Sequence, residues 1–107
     1  EGRDDEALPY FRTAAEIGPD LPQPRCLLGA TYLRLGRLDE ARHELELAVD
    51  LDPDYADAYY NLGLLYSELG MTAEQIEAFE RYLEHAPTAR NAEEIRAWIR
   101  RQRGESE

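Results

Sequence analysis

At 107 residues, with 43% hydrophobic residues and a single cysteine, the chain suffices for one packed domain and for no intrachain disulfide. Its formal net charge of -11 argues against the basic stripe that a phosphate backbone demands, so no nucleic acid partner is expected; no apolar run approaches the length of a membrane span. The acidity permits a basic partner; its plainer reading is solvated acidic helix faces that keep the chain soluble. All twelve basic residues are arginine. With the abundant alanine, this is the bias of a GC-rich genome and points to a bacterial source, cytoplasmic or periplasmic. The chain opens on Glu1 with no charged-then-apolar leader, and reads as a piece of something longer.

Residues 4–17 form the first amphipathic stretch. Ala7, Leu8, Phe11, Ala14 and Ala15 recur at helical spacing on one face, Asp4, Asp5 and Glu6 suit the positive end of the helix dipole, and Pro9 is expected near enough to the start to be tolerated. Gly18 and Pro19 end it. A second helix is predicted over 22–35, with Leu28, Tyr32 and Leu35 inward and Gly36 as its stop. A third over 39–51 turns Ala41, Leu45, Ala48 and Val49 inward and closes at Asp52-Pro53-Asp54. A fourth over 55–69 buries Tyr59, Leu62, Tyr66 and Leu69, with Gly70 as its stop. A fifth over 73–85 carries Ile76, Phe79, Tyr82 and Leu83, with Thr72 and Gln75 as a capping box, and Ala86-Pro87 ends it. The last, over 91–103, starts at a second capping box of Asn91 and Glu94. Ile95, Trp98 and Ile99 form its narrow apolar face, and Arg96, Arg100, Arg101 and Arg103 suit its C-terminal end. Gly104 to Glu107 reads as a frayed tail.

The chain copies itself at a period of 34: Leu28 and Leu62, Gly29 and Gly63, Tyr32 and Tyr66, Gly36 and Gly70, Pro53 and Pro87. With Ala41, Leu45 and Ala48 in the first copy and Tyr59 and Phe79 in the second, these residues resemble the tetratricopeptide repeat (TPR) signature. Gly2, Ala7, Phe11, Ala14 and Pro19 match the second half of a further copy, so the chain starts in mid-repeat. The resemblance implies an all-α fold: a right-handed superhelical solenoid of antiparallel helix pairs. Residues 2–19 would be the second helix of a partial repeat, 22–55 and 56–88 full repeats, and 91–103 a C-terminal solvating helix that caps the array. That last helix is out of register, since Arg96 stands where the period asks for leucine. Two small positions of the signature, Ala41 and Ala48, become Gln75 and Tyr82 in the second copy, so the helix packed on them must shift. Arg25 occupies the aromatic position held by Tyr59.

Function is expected in a concave groove. The resemblance implies that Gln23, Cys26, Leu27, Ala30, Leu33 and Arg34 of one copy face it, together with Asp57, Tyr60, Asn61, Leu64, Ser67 and Glu68 of the next. Leu27, Leu33, Tyr60 and Leu64 are apolar with no evident place in their own pair's core, which suits a partner helix or extended peptide with apolar anchors. Asn61 can donate to and accept from a peptide backbone. The carboxylate-gripping form of such a groove is not expected, because its lysine and asparagine positions are Cys26 and Ala30.

No catalytic, cofactor or metal constellation emerges. His43 and His85 are isolated, no nucleophile stands beside an oriented base, and Asp50-Leu51-Asp52-Pro53-Asp54 lacks the glycine and terminal glutamate of a calcium loop. Trp98 is read as core of the cap. The expected function is a protein–protein interaction scaffold rather than an enzyme. The alternative is a structural or oligomerisation segment of a larger enzyme or envelope or secretion assembly, self-associating through an N-terminal helix whose Leu8 and Phe11 are left partly uncovered.

Overall fold

Apolar residues at three- and four-residue spacing, punctuated by glycine and proline, give six α-helices among residues 2–105, the part of the chain that the computed structural model describes. They are α1 (Gly2–Ile17), α2 (Pro22–Arg34), α3 (Leu38–Leu51), α4 (Ala56–Glu68), α5 (Thr72–His85) and α6 (Ala92–Gln102). The chain is a tetratricopeptide-type superhelix, 47 × 26 × 21 Å, in which α2 packs on α3 and α4 on α5, and α2 also touches α4.

Three of the helices stop by the same device. Gly36, Gly70 and Gly104 adopt φ of 77°, 71° and 74°, the left-handed region that a β-carbon disfavours. After each, the next amide reaches back to satisfy a helix carbonyl: Arg37 N to Tyr32 O, Met71 N to Tyr66 O, Glu105 N to Arg100 O. The expected frayed tail is therefore fastened through Glu105; Ser106 and Glu107 lie outside the described residues.

The repeated glycines inside the helices have another role. A β-carbon on Gly29 would stand 2.6 Å from Leu45 Cγ, and one on Gly63 would stand 2.2 Å from Phe79 Cε1. Each glycine lets the second helix of its pair lay a large side chain against the backbone of the first. Leu45 is thereby fully buried between Ala41 and Ala48, a burial that contributes about 2–3 kcal/mol. Leu65 and Thr31 are equally enclosed, and Thr31 Oγ1 donates to Leu27 O at 2.8 Å, so its hydroxyl is satisfied. Neither falls on the inward stripe that spacing predicts for its helix.

Several sequence expectations are corrected. Neither capping box forms: Met71 and Asn91 occupy the N-cap positions without a side-chain cap bond, and Thr72 is already helical. Leu69 is exposed, because the glycine turn at 70 carries it out of the inward stripe. Pro9 lies well inside α1, which starts at Gly2, and removes one ladder bond there. The helix persists because Leu8 and Ala15 are buried and Phe11 packs against the same core. Leu8 is thus covered, contrary to expectation.

The bulky Gln75 and Tyr82 are accommodated at the array's end. α6 approaches α5 mainly through side chains: Ile95 and Ile99 pack with Phe79 and Tyr82, and Trp98 meets Phe79 edge-on at 5.7 Å. Cations fasten successive pairs from outside. Arg12 of α1 and Arg37 lie over the Tyr32 ring, and Arg42 of α3 lies over Tyr66.

Candidate functional site

The first helices of the two pairs, α2 and α4, run side by side, and two hollows lie along their shared face. One, of about 340 Å³, is lined by Ala30, Leu33, Arg34, Asn61, Leu64, Ser67 and Glu68. The other, of about 330 Å³, is lined by Gln23, Cys26, Leu27, Ala30, Arg34, Tyr55, Asp57, Tyr60 and Asn61. Ala30, Arg34 and Asn61 belong to both, so the hollows form one trough. The twelve residues expected to face the groove all border it.

Their roles within it differ. Leu27 and Leu64 are 41% and 36% exposed and stand as apolar surface at the trough. Leu33 and Tyr60 are less free than expected. Leu33 packs against the main core, while the Tyr60 ring lies 5.9 Å from Phe79 and 5.2 Å from Tyr82. Tyr60 finds this place because Phe79 and Tyr82 of α5 are large where the first pair has Leu45 and Ala48. Cys26 is only 4% exposed, and burial, the dominant cause, pushes its thiol up to about 11. The hydrogen bond from Asn61 opposes this rise, and the Asp57 charge adds to it.

Asn61 is more committed than its sequence context suggested. Its Nδ2 donates to Asp57 O at 3.0 Å and contacts Cys26 Sγ at 3.7 Å. With both amide hydrogens engaged, what it retains for a ligand is the Oδ1 acceptor.

The charges of the trough are unequal. Arg34 Nε donates to Asp4 Oδ1 at 3.0 Å and its Nη2 reaches Thr31 Oγ1 at 3.4 Å, so α1 supplies a counter-charge to the trough's cation. Asp57 and Glu68 are exposed. Tyr55, at the N-cap of α4, was missed by sequence reasoning. Its signal was available: Leu21 stands one period earlier, so this turn position is apolar twice. Burial, first, and then the nearby Cys26, Asp57 and Asp52 raise the Tyr55 pKa.

The acidic run after α3 is a turn. Asp52 Oδ1 accepts from Asp54 N at 3.0 Å, and Asp54 lies 3.7 Å from His85 Nδ1. His85 stacks on Tyr59, whose hydroxyl donates to Pro53 O at 2.8 Å. These contacts join the inter-pair turn to the end of α5 and assemble no reactive group.

Family models described as tetratricopeptide repeats match residues 1–50 and 56–88, and a third, described as a TPR repeat, matches residues 32–70. No curated protein matches the sequence. Among solved structures, the chain is similar to the first TPR domain of Spaghetti (RPAP3), bound to the HSP90 peptide SRMEEVD. Identity is 26% and the TM-score 0.85, over 96% of this chain and 82% of that one. It is also similar to MamA, at 25% identity and a TM-score of 0.81, and to YrrB, described as a TPR protein with an unusual peptide-binding site, at 26% and 0.80. It spans 59% of the MamA chain and 50% of the YrrB chain. With helix pairs repeating every 34 residues and these models together matching residues 1–88, the chain belongs to the tetratricopeptide repeat family.

Proposed function

We propose that the chain is a protein-interaction module whose trough between α2 and α4 holds a helix or extended peptide of a partner protein. The observation that carries this reading is the pair Leu27 and Leu64. Both are large apolar side chains left at solvent on the face where two hollows meet, while their neighbours Leu28, Leu62 and Leu65 are buried. Such surface gains free energy when a partner covers it. The peptide complex of one similar structure and the peptide-binding site named for another support the same reading.

The charges narrow the partner. Cys26 and Ala30 offer no cation, Arg34 is held by Asp4, and Asp57 and Glu68 are exposed. An acidic peptide such as SRMEEVD would meet repulsion here. The favoured ligand has two or more apolar side chains with basic residues beside them.

A displayed peptide library panned on this chain tests the reading. The expected clones are apolar with flanking lysine or arginine, and they lose binding to a Leu27→Asp, Leu64→Asp variant that keeps its helicity. Tyr60 is a poor probe, since its ring supports Phe79 and Tyr82. Selected clones that bind the folded double variant undiminished would refute the groove.

A further inference from the structure

The hollow at the C-terminal ends of α2 and α4 lies between two complete helix pairs and holds two charged residues, Arg34 and Glu68. They occupy the same repeat position, 34 residues apart. They do not pair. Arg34 Nε donates to Asp4 Oδ1 at 3.0 Å and its Nη2 reaches Thr31 Oγ1 at 3.4 Å, so α1 holds the guanidinium aside. Glu68 is exposed and has no ion-pair partner among the described residues.

Glu68 is also poorly placed for its own helix. It is the last residue of α4, at the negative end of the dipole, and the last turn contains no basic residue. α2 ends at the same repeat position on an arginine. A carboxylate set against a negative helix end attracts an incoming cation. The walls name the kind of cation. Ala30, Leu33 and Leu64 line the hollow, and Leu64 is 36% exposed, so a small hydrated ion or amine would leave them bare. A lysine or arginine covers them with its methylene stem while its head reaches the carboxylate. The Ser67 hydroxyl, also in the hollow, is a second acceptor for that head.

We propose that this hollow is the subsite for a lysine or arginine side chain of the partner peptide, held by Glu68, with Asp4 as the positioning residue that keeps Arg34 from filling it. The inference rests on the peptide-binding reading of the trough and adds which end of it takes the charge. Asp57, the other exposed carboxylate of the trough, stands in the first turn of α4, where the positive helix end already answers it. It is the weaker cation site. Asp4 acts through Arg34: released from that carboxylate, the guanidinium turns to Glu68 and closes the hollow to other cations.

NMR titration of the isotope-labelled 107-residue chain is the test. The probes are Nα-acetyl-arginine methylamide and its citrulline counterpart, similar in shape and without charge. The arginine probe should shift the amides of Ser67 and Glu68 and bind about fivefold tighter than the citrulline probe, the scale of one exposed charge pair, and less so at high salt. Glu68→Gln should abolish the preference, and Asp57→Asn should lower it less. Asp4→Asn should diminish it, a change that a merely structural role for Asp4 would not produce, and adding Arg34→Gln should restore it. All four sites are at least partly exposed, so helicity should hold. Equal affinity for the two probes overturns the proposal, as does a preference that survives Glu68→Gln or is undiminished by Asp4→Asn. Displayed-library clones that need Leu27 and Leu64 yet ignore Glu68→Gln would remove this subsite and leave the peptide-binding reading intact. An arginine preference in a chain whose clones ignore Leu27 and Leu64 would sink that reading and leave the cation hollow.

Discussion

The Tyr82 hydroxyl donates to Asn91 Oδ1 at 2.7 Å. This bond links α5 to the start of α6 and explains two departures from the repeat together. Tyr82 replaces the small residue seen at Ala48, and its length carries the hydroxyl to the turn where the next first helix would begin. Asn91 then gives its side-chain oxygen to Tyr82 instead of capping its own helix.

Tyr82→Phe keeps the buried ring and removes that bond. The expected loss is about 1 kcal/mol, read as a fall in Tm of about 4–8 °C for a domain of this size. Amide exchange should rise first in α6, because among the described helices it packs on α5 alone. Tyr10→Phe, at an exposed site, should leave the Tm unchanged.

Arg25 and Glu44 form an ion pair at 3.0 Å, with side chains 22% and 12% exposed. Arg25 Nε is buried with no partner. One period later the pair becomes Tyr59 and Ala78, an apolar solution at the same location. Glu44→Ala alone should cost on the order of 2 kcal/mol, since it strands a mostly buried guanidinium. Arg25→Tyr with Glu44→Ala should recover the loss or exceed wild type. The recovery follows from the second repeat, where Tyr59 donates to Pro53 O; a tyrosine at 25 would have Pro19 at the equivalent position. A double-mutant cycle in urea measures the coupling.

Cys26 ties stability to pH. Burial raises its folded pKa from 9.0 to about 11, so the folded state keeps a proton that the unfolded thiol releases. A raised folded pKa gives stability that is complete below pH 9 and lost as pH climbs towards 11. The loss attributable to this thiol is about 1.4 kcal/mol per pH unit across that window. Chemical denaturation at stepped pH checks it, and Cys26→Ser should flatten the profile. Below pH 9 the folded thiol should resist alkylation and the unfolded chain should not.

The sequence by itself determined the helices and the period, and through the resemblance they carry it named the family and the residues at the trough other than Tyr55. The helices and the period follow from local spacing: a glycine at a fixed offset can end a helix or admit a neighbour, and an apolar residue every three or four positions must face a core. These constraints act within one repeat, so one repeat's length of chain displays them.

Only the tertiary structure decided what the bordering residues are free to do. Cys26 and Tyr60 look like their groove neighbours in the sequence, yet one is enclosed and the other leans on Phe79 and Tyr82. Asn61 looks ready for a ligand, yet its amide is held by Asp57 and Cys26. The capping boxes at Thr72 and Asn91 fit the pattern and do not form. For Cys26, Tyr60, Asn61 and Asn91 the outcome turns on a contact outside the residue's own helix, between side chains as far apart as 35 residues in sequence. The repeat made the scaffold readable because packing within a pair is nearly the same each time. The availability of Leu27 and Leu64 is a matter of which surfaces remain uncovered once the pairs have stacked, and that is settled by the stacking.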